Sequence, residues 1–138
     1  MVIVNIENLP VSQYAGVFSA AGLDKKAYKP SSAVTPLSGW PTLGSMIDAG
    51  TTLVVFIDNQ AKFDETPYLI DEFTNMWEDA YDVTEPTFAC AVNRTKGDPS
   101  SQMYMINHFL DQAFTVLGLQ TVIPDMGKLN VTNAATGD

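Results

Sequence analysis

Apolar runs that end on polar residues form the clearest pattern in this chain. One run, Leu53–Ile57, ends at Asp58, and another begins at Met103 and ends at Asn107 and His108. Continuous apolar runs are typical of parallel strands buried on both faces, and such strands present functional groups at their carboxyl ends. These runs alternate with helix-like segments and glycines. The pattern therefore predicts an α/β fold with a parallel sheet flanked by helices.

The first half of the chain is predicted to hold two strands and two helices. Val2–Glu7 suits a strand buried on both faces, and Thr51–Asp58 is the clearest strand of the sequence. Ser12 is the expected N-cap of the first helix, which ends at Gly22, and Pro41 begins the second helix. The buried faces are expected to carry Tyr14, Val17, Phe18 and Ala21 in the first helix, and Leu43, Met46 and Ile47, ahead of a terminating Gly50, in the second.

The middle of the chain gives two conflicting signals. Tyr68–Tyr81 has the apolar spacing of a helix, yet an α/β fold needs a strand before Met103–Phe109, which is the next predicted strand. We place that strand at Thr74–Trp77. Val83–Ser101 predicts a long irregular connection, and connections of this length usually carry function or cover other structure.

The C-terminal part is divided at residue 129. After Asp111 the apolar residues predict more packed chain, whereas residues 130–138 are small and polar and predict a flexible tail. The sequence thus predicts one α/β domain over residues 1–129. Its packed positions after Asp111 are expected to be Phe114, Val116, Leu117 and Leu119.

Length and charge exclude several classes of protein. The 138 residues suffice for one domain with a core. The net charge is −9 and the seven basic residues are scattered, which argues against nucleic-acid binding. No apolar run approaches the roughly 20 residues of a transmembrane helix. Met1–Ile6 lacks the basic start of a signal peptide and instead resembles a strand.

Three local features bear on the cellular compartment. Cys90 is the only cysteine, so a disulfide would need a partner outside this chain. The sequons Asn93-Arg94-Thr95 and Asn130-Val131-Thr132 match the N-glycosylation pattern of secreted proteins. The sequons favour a secreted protein, whereas Cys90 fits a cytosolic thiol as well as a secreted cysteine whose partner lies outside this chain.

Several blocks of the sequence together match one family. They are Trp40–Leu43 with Met46–Asp48 and Gly50, Leu53–Asp58, Pro67–Leu69 with Asp71–Phe73 and Trp77-Glu78, Pro86–Phe88 ahead of Cys90, and Met103-Tyr104 with Ile106–Asp111. Across residues 2–126 the chain resembles the fungal secreted branch of the phosphatidylinositol-specific phospholipase C-like phosphodiesterases. Together the blocks are specific, although no single one is.

The resemblance implies a TIM-type β/α barrel that hydrolyses phosphodiesters by acid–base chemistry, with Ca²⁺ only in the eukaryotic signalling enzymes. Val2–Glu7 would be about the fourth barrel strand and Met103–Phe109 about the seventh, so residues 1–129 would form the central-to-C-terminal portion of a barrel. The family's catalytic histidine pair would lie outside this sequence. We therefore assign no catalytic residue, no metal ligand and no cofactor within the chain.

Candidate substrate-binding residues are polar or aromatic side chains near the predicted carboxyl ends of the strands. They could supply hydrogen bonds to inositol or sugar hydroxyls, one cation for phosphate and one ring for stacking. The candidates are Asp58, Asn107, His108, Glu78, Trp77, Glu7 and Lys62, with Asn5 and Asn59 beside them.

Each candidate also has a purely structural interpretation. Asp58 follows a strongly apolar run, where burying a carboxylate costs free energy unless the group is paired or hydrated. Asp58 could also simply mark the end of the strand. His108 could be hydrogen-bonded within the barrel, and a strand would point only one of Asn107 and His108 inward. Trp77 has helical spacing typical of a core residue. Glu7 and Lys62 could be ordinary solvated side chains.

Two functions fit these observations. The chain could be part of a secreted phosphodiesterase that binds a small phosphodiester or inositol-lipid headgroup, with its catalytic groups completed from outside. Alternatively, it could be a non-catalytic secreted binding or assembly protein that uses a half-barrel scaffold. Open strand edges would then favour self-association.

Overall fold

Parallel strands organise the computed structural model, which describes residues 1–135. One parallel sheet has the order β1-β2-β3, a second consists of β4 and β5, and an antiparallel hairpin of β6 and β7 follows. The strands are β1 (Val2–Asn5), β2 (Val54–Ile57), β3 (Leu69–Asp71), β4 (Met76–Glu78), β5 (Met103–Met105), β6 (Asp111–Val116) and β7 (Leu119–Pro124). The helices are α1 (Val11–Ala20), α2 (Leu43–Asp48), α3 (Glu72–Asn75) and α4 (Leu129–Ala134).

The predicted α/β class is confirmed, because both parallel sheets are accompanied by helices. The strands form two separate parallel sheets, and the partial barrel stays a prediction. Val83–Ser101 is a long irregular connection, as predicted, with a 3₁₀ turn at Pro99–Ser101. None of the helices in residues 1–135 has the length and apolarity needed to cross a bilayer.

The core lies on both faces of the central strand β2. Val55 and Ile57 point to one face and pack with Tyr14 and Phe18 of α1. Phe56 points to the opposite face, where it packs with Ile70, Met76 and the partly buried Trp40. Because β2 is paired on both edges and covered on both faces, its continuous apolar run is fully used in packing.

The expectation that the first strand is buried on both faces is wrong. In β1, Val2 is 65% exposed and Val4 is 38% exposed, while Ile3 packs toward the α1 side. The strand lies at the edge of its sheet, with β2 as its pairing partner, and within residues 1–135 its second face is left largely open.

The helix predictions placed the elements correctly and their buried faces only in part. Helix α1 begins at Val11 after Pro10, and Ser12 makes no capping bond. Helix α2 begins at Leu43, where Thr42 caps it by accepting a bond from the Ser45 amide. A single stripe of each helix faces the sheets, so four expected core residues are exposed: Val17, Ala21, Leu43 and Ile47.

The helical spacing of Tyr68–Tyr81 does not give one continuous helix, because tertiary contacts divide the segment. It contains β3, the single turn α3 and then β4, so the strand expected at Thr74–Trp77 begins two residues late. Asp71 caps the short turn by accepting a hydrogen bond from the Thr74 amide at 2.9 Å. Parallel pairing of β4 with β5 then holds the following residues extended.

The chain after Asp111 is not packed as expected. It forms the β6–β7 hairpin, in which Leu117 is 98% exposed and Leu119 is 75% exposed. Phe114 and Val116 are also exposed. The expected strand Met103–Phe109 ends at Met105. Residues 130–134 of the expected polar tail lie in α4, and residues 136–138 lie outside the described residues.

Candidate functional site

A cleft of about 490 Å³ lies at the carboxyl ends of the parallel strands. Asp58 directly follows β2, Glu72 directly follows β3 and Glu78 ends β4. Asn107 lies two residues after β5, and Arg94 comes from the long connection. Functional groups in parallel β/α folds are presented at this end of the strands. The cleft is completed by Val4, Ile6, Tyr81, Met105 and Phe109.

Arg94 lies at the centre of the polar groups in the cleft. Its Nε donates a hydrogen bond to Oε1 of Glu78, and its Nη1 lies 3.6 Å from Oδ2 of Asp58. The guanidinium carbon is 4.4 Å from the ring centroid of Phe73 and 4.6 Å from that of Tyr81. A planar guanidinium between two rings and two carboxylates is held in one orientation.

Backbone pairing brings Arg94 to this position. The Glu78 amide donates to the Arg94 carbonyl at 3.1 Å, and the Asn93 amide donates to the Glu78 carbonyl at 2.8 Å. The long connection therefore runs antiparallel to the end of β4 at this point. Burial opposes the charge of Arg94, but its hydrogen bond to Glu78 and the charges of Glu78 and Asp58 raise its pKa overall. Arg94 is consequently a fixed cation.

Glu78 has a partner for each carboxylate oxygen although it is only 2% exposed. Its Oε1 faces Arg94, and its Oε2 accepts a hydrogen bond from Nδ2 of Asn107 at 3.0 Å. Asn107 is itself anchored, because its amide N–H donates to Oδ1 of Asp79 at 2.8 Å. Both oxygens of this buried carboxyl group are therefore paired within the cleft.

Glu72 differs from Glu78 although both line the same cleft. It is 1% exposed, and its Oε2 has no hydrogen-bond partner in the described part of the chain. Burial first, and then the negative charges of Glu78 and Asp58, raise the pKa of Glu72 to about 7, against the opposing effect of Arg94. Near neutral pH this carboxyl group therefore exchanges a proton with solvent.

The structure brings three of the seven predicted substrate-binding residues together in the cleft: Asp58, Glu78 and Asn107. Trp77, His108, Glu7 and Lys62 are not among the residues that line it. Asn107 and His108 follow β5 in irregular chain, so strand alternation does not decide which of them points inward. The substrate-binding role of all seven residues stays a prediction.

The other predicted residues make local contacts elsewhere. Trp77 stacks on Tyr104 with ring centroids 4.1 Å apart. Nε2 of His108 lies 2.9 Å from the Thr132 carbonyl oxygen. Lys62 forms an exposed ion pair with Glu65 at 3.1 Å. The three remaining residues form two hydrogen bonds. The Glu7 amide donates to Oδ1 of Asn5, and the Asn59 side chain donates to the carbonyl of Ile6.

Sequence reasoning missed Arg94 and Glu72. Arg94 is the only arginine of the chain and lies within the long connection, so its rarity was an available signal. Glu72 lies beside Asp71 in a segment with helical spacing, where acidic residues usually face solvent. Its burial depends on β3 ending where α3 begins, which the spacing did not reveal.

The arrangement favours recognition of a polar ligand. Within residues 1–135, no group of three or more His, Cys, Asp or Glu side chains is placed to hold a metal ion. Asp58 and Glu78 are turned toward Arg94 instead. The cleft combines carboxyl oxygens and a guanidinium with the apolar Ile6 and Phe109. Such a mixture suits a ligand with hydroxyl groups on an apolar frame.

The chain is similar to one known protein family and to proteins of a fungus. The family model described as PI-PLC X 1 matches residues 1–138. The chain is 33% identical over 141 residues to an "Uncharacterized secreted protein" of Arthroderma benhamiae, covering 99% of this chain and 32% of that protein. It is 35% identical over 140 residues to "PI-PLC X domain-containing protein 1" of the same fungus, covering 99% of this chain and 44% of that protein. The chain thus spans less than half the length of either relative, and no solved structure matches it.

Proposed function

This chain belongs to the PI-PLC X family, and we propose that it forms part of a secreted phosphodiesterase that hydrolyses inositol lipids or similar glycerophosphodiesters. In this proposal its five parallel strands, β1 to β5, contribute about half of a TIM-type β/α barrel. Two observations support that arrangement: the polar groups gather at the carboxyl ends of the strands, and β1 has an open edge. An extracellular location is in keeping with the name of one relative, a secreted protein.

The observation that carries the proposal is the convergence of Asp58, Glu78, Arg94 and Asn107 in one cleft. We assign this cleft to the headgroup of the substrate. Hydroxyl groups would donate to Asp58 and receive hydrogen bonds from Arg94, while the apolar frame of the ring would contact Tyr81 and Phe109. Residues separated by up to 49 positions along the chain are brought together by the ends of three strands and one loop.

Because the cleft is acidic, we place the phosphate of the substrate outside the cluster of carboxyl groups. Asp58, Glu72 and Glu78 outnumber the single guanidinium of Arg94, so a second anion placed among them would be repelled. The hydroxyl-bearing part of the headgroup is neutral and meets no such repulsion. The phosphodiester would therefore face away from this cluster, toward groups that perform the chemistry.

Those catalytic groups are proposed to come from outside these 138 residues. Acid–base cleavage of a phosphodiester needs two groups that exchange protons near neutral pH, and the family uses a histidine pair for this. This chain has one histidine, and the His108 ring contacts the Thr132 carbonyl outside the cleft. The chain would thus bind the headgroup and need a further segment for hydrolysis.

A chimeric protein tests this proposal directly. The chain would replace the matching segment of PI-PLC X domain-containing protein 1 of A. benhamiae, with the parent as reference, and headgroup release from phosphatidylinositol vesicles would be measured. We expect hydrolysis by the chimera and none by the 138-residue chain alone. Arg94→Gln should lower the rate of the chimera by about tenfold or more, a loss of roughly 1.4 kcal/mol in transition-state stabilisation. The matched control Lys25→Gln, an exposed cation outside the cleft, should not.

Three outcomes would contradict the proposal. Hydrolysis by the 138-residue chain that survives His108→Ala would show that the chain holds its own catalytic groups. If the Arg94→Gln chimera hydrolysed phosphatidylinositol at the full rate, the cleft would have no part in the reaction. Absence of hydrolysis by both the parent and the chimera would favour a non-catalytic binding or assembly protein.

A further inference from the structure

Glu72 is a polar group of the cleft to which the proposed headgroup contacts give no role. Its side chain is 1% exposed, it lines the cleft, and its Oε2 has no hydrogen-bond partner among residues 1–135. Buried polar atoms are nearly always paired, so an unpaired carboxyl oxygen in a cleft indicates a partner that arrives with a ligand.

The charged groups around Glu72 leave it without a counter-ion in the described part of the chain. Asp58 faces it from the end of β2, Glu78 from β4 and Asp71 from β3. Arg94 faces it from the long connection, but its Nε and Nη1 are directed to Glu78 and Asp58. Lys96 is paired with Asp71 at 2.7 Å. An ionised Glu72 would thus be a buried carboxylate among other carboxylates.

A hydroxyl group is the ligand chemistry that suits this oxygen. A phosphate oxygen carries negative charge and would be repelled by Asp58 and Glu78, which lie in the same cleft. A hydroxyl group is neutral and can donate a hydrogen bond to a carboxylate, which is stronger than one to a neutral acceptor. The apolar Ile6 and Phe109 beside these groups suit the carbon frame of a polyol.

We propose that Oε2 of Glu72 accepts a hydrogen bond from one hydroxyl group of a bound polyol, and that filling the cleft therefore releases a proton from Glu72 to solvent. This inference rests on the proposed function, since it assigns the hydroxyl-bearing part of the headgroup to the same cleft. It adds a residue that couples ligand binding to pH.

The size of the effect follows from linkage. With a pKa of about 7 in the empty cleft, Glu72 is about half protonated at pH 7, so binding can release up to about 0.5 proton there. A hydrogen bond to the ionised form lowers the pKa of Glu72 in the complex. If only the ionised form binds, affinity for the polyol rises by up to about tenfold between pH 6 and pH 8.

Calorimetric titration with myo-inositol measures this release. The 138-residue chain would be titrated at pH 7 in PIPES and in imidazole, two buffers whose ionisation enthalpies differ, so that the difference in heat reports the protons exchanged. We expect proton release by the wild-type chain and none by Glu72→Gln. The matched control Glu85→Gln, which removes an exposed acid that does not line the cleft, should release the same number as wild type.

The outcomes separate this inference from the proposed function. If myo-inositol binds with no proton exchange, or with proton uptake, the assignment of Glu72 is overturned and the headgroup cleft remains. If inorganic phosphate binds more tightly than myo-inositol, the polyol assignment is overturned. If myo-inositol does not bind between pH 6 and pH 8, both proposals fail. If Glu72→Gln does not fold, comparing the heats of the wild-type chain in the two buffers still shows whether binding releases a proton.

Discussion

The parallel strands β2 and β3 and the hairpin β6–β7 use apolar residues in opposite ways. In the parallel part, Ile57 is 0% exposed and Leu69 is 1% exposed. In the hairpin, Leu117 is 98% exposed and Leu119 is 75% exposed. Adjacent parallel strands require a crossover that covers the sheet, whereas a two-residue turn completes an antiparallel pair locally. In these two regions, apolar residues are therefore buried where the connection between two strands packs against the sheet, and they stay exposed where the connection is a short turn.

Charge is distributed between the two regions in the same uneven way. The cleft at the ends of the parallel strands holds the buried acids Glu72 and Glu78 and the cation Arg94. The hairpin has no charged residue between Asp111 and Asp125. Strand ends that are covered by loops can hold charges with their partners, whereas the residues of the hairpin after Asp111 are largely exposed. The candidate chemistry of the described chain thus lies with the parallel strands.

The largest expected difference between the two regions is the effect of truncating an apolar side chain. Ile57→Ala should lower the free energy of unfolding by about 2–5 kcal/mol, because it leaves a cavity in the core. Leu117→Ala should change it by less than about 0.5 kcal/mol, because the side chain is almost fully exposed. Urea unfolding of both variants measures the two values. Equal losses would show that the hairpin is packed and would remove the contrast.

A smaller effect is expected from the buried acid of the parallel part. The pKa of Glu72 in the folded chain is about 7 instead of its ordinary 4.5, so the folded state holds the proton more tightly than the unfolded state. This stability is fully present below pH 4.5 and is lost as pH rises through 7. Glu72→Gln should therefore raise the free energy of unfolding at pH 8 by roughly 1–3 kcal/mol and leave it unchanged near pH 4.5.

The exposed Glu85 provides the matched control for this experiment, since Glu85→Gln removes an acid that is not buried. Urea unfolding at pH 4.5 and pH 8 should show no pH-dependent gain for that variant. A Glu72→Gln variant that is destabilised at pH 8 would mean that the ionised carboxylate has a favourable partner in the folded chain.

The smallest effect is expected in the hairpin turn. Leu117 and Gly118 connect β6 to β7 with backbone φ angles of +50° and +81°. Positive φ at both central positions is typical of the type I′ turn, which favours asparagine followed by glycine. Leu117→Asn should thus raise the free energy of unfolding by a few tenths to about 1 kcal/mol. Thr115→Asn, placed within β6, is the comparison variant and should not stabilise the chain.

The sequence predicted element types better than element boundaries. The run Leu53–Ile57 was correctly predicted as a buried strand, because a continuous apolar run is a strong local signal, and Asp58 at its end lines the cleft. The helical spacing of Tyr68–Tyr81 was misleading, because pairing of β4 with β5 decides the conformation there. Strand pairing is a long-range interaction, and spacing within one segment does not report it.

The sequence predicted those residues of the candidate site that lie at the ends of strands. Asp58, Glu78 and Asn107 were found in this way and lie in the cleft. Arg94 was not, because it reaches the cleft through backbone pairing between a loop and the last residue of β4. Glu72 was not, because its burial results from the abrupt change from β3 to α3.

By itself the sequence determined the α/β class, the family and the acidic character of this chain, since these depend on composition, motifs and local patterning. Only the tertiary structure decided which carboxyl groups of the cleft are paired with Arg94 and that Glu72 keeps an unpaired oxygen among residues 1–135. It also decided that the apolar hairpin stays exposed. Pairing and burial depend on which distant segments meet, and the free energy of a charged or apolar side chain is set by that environment.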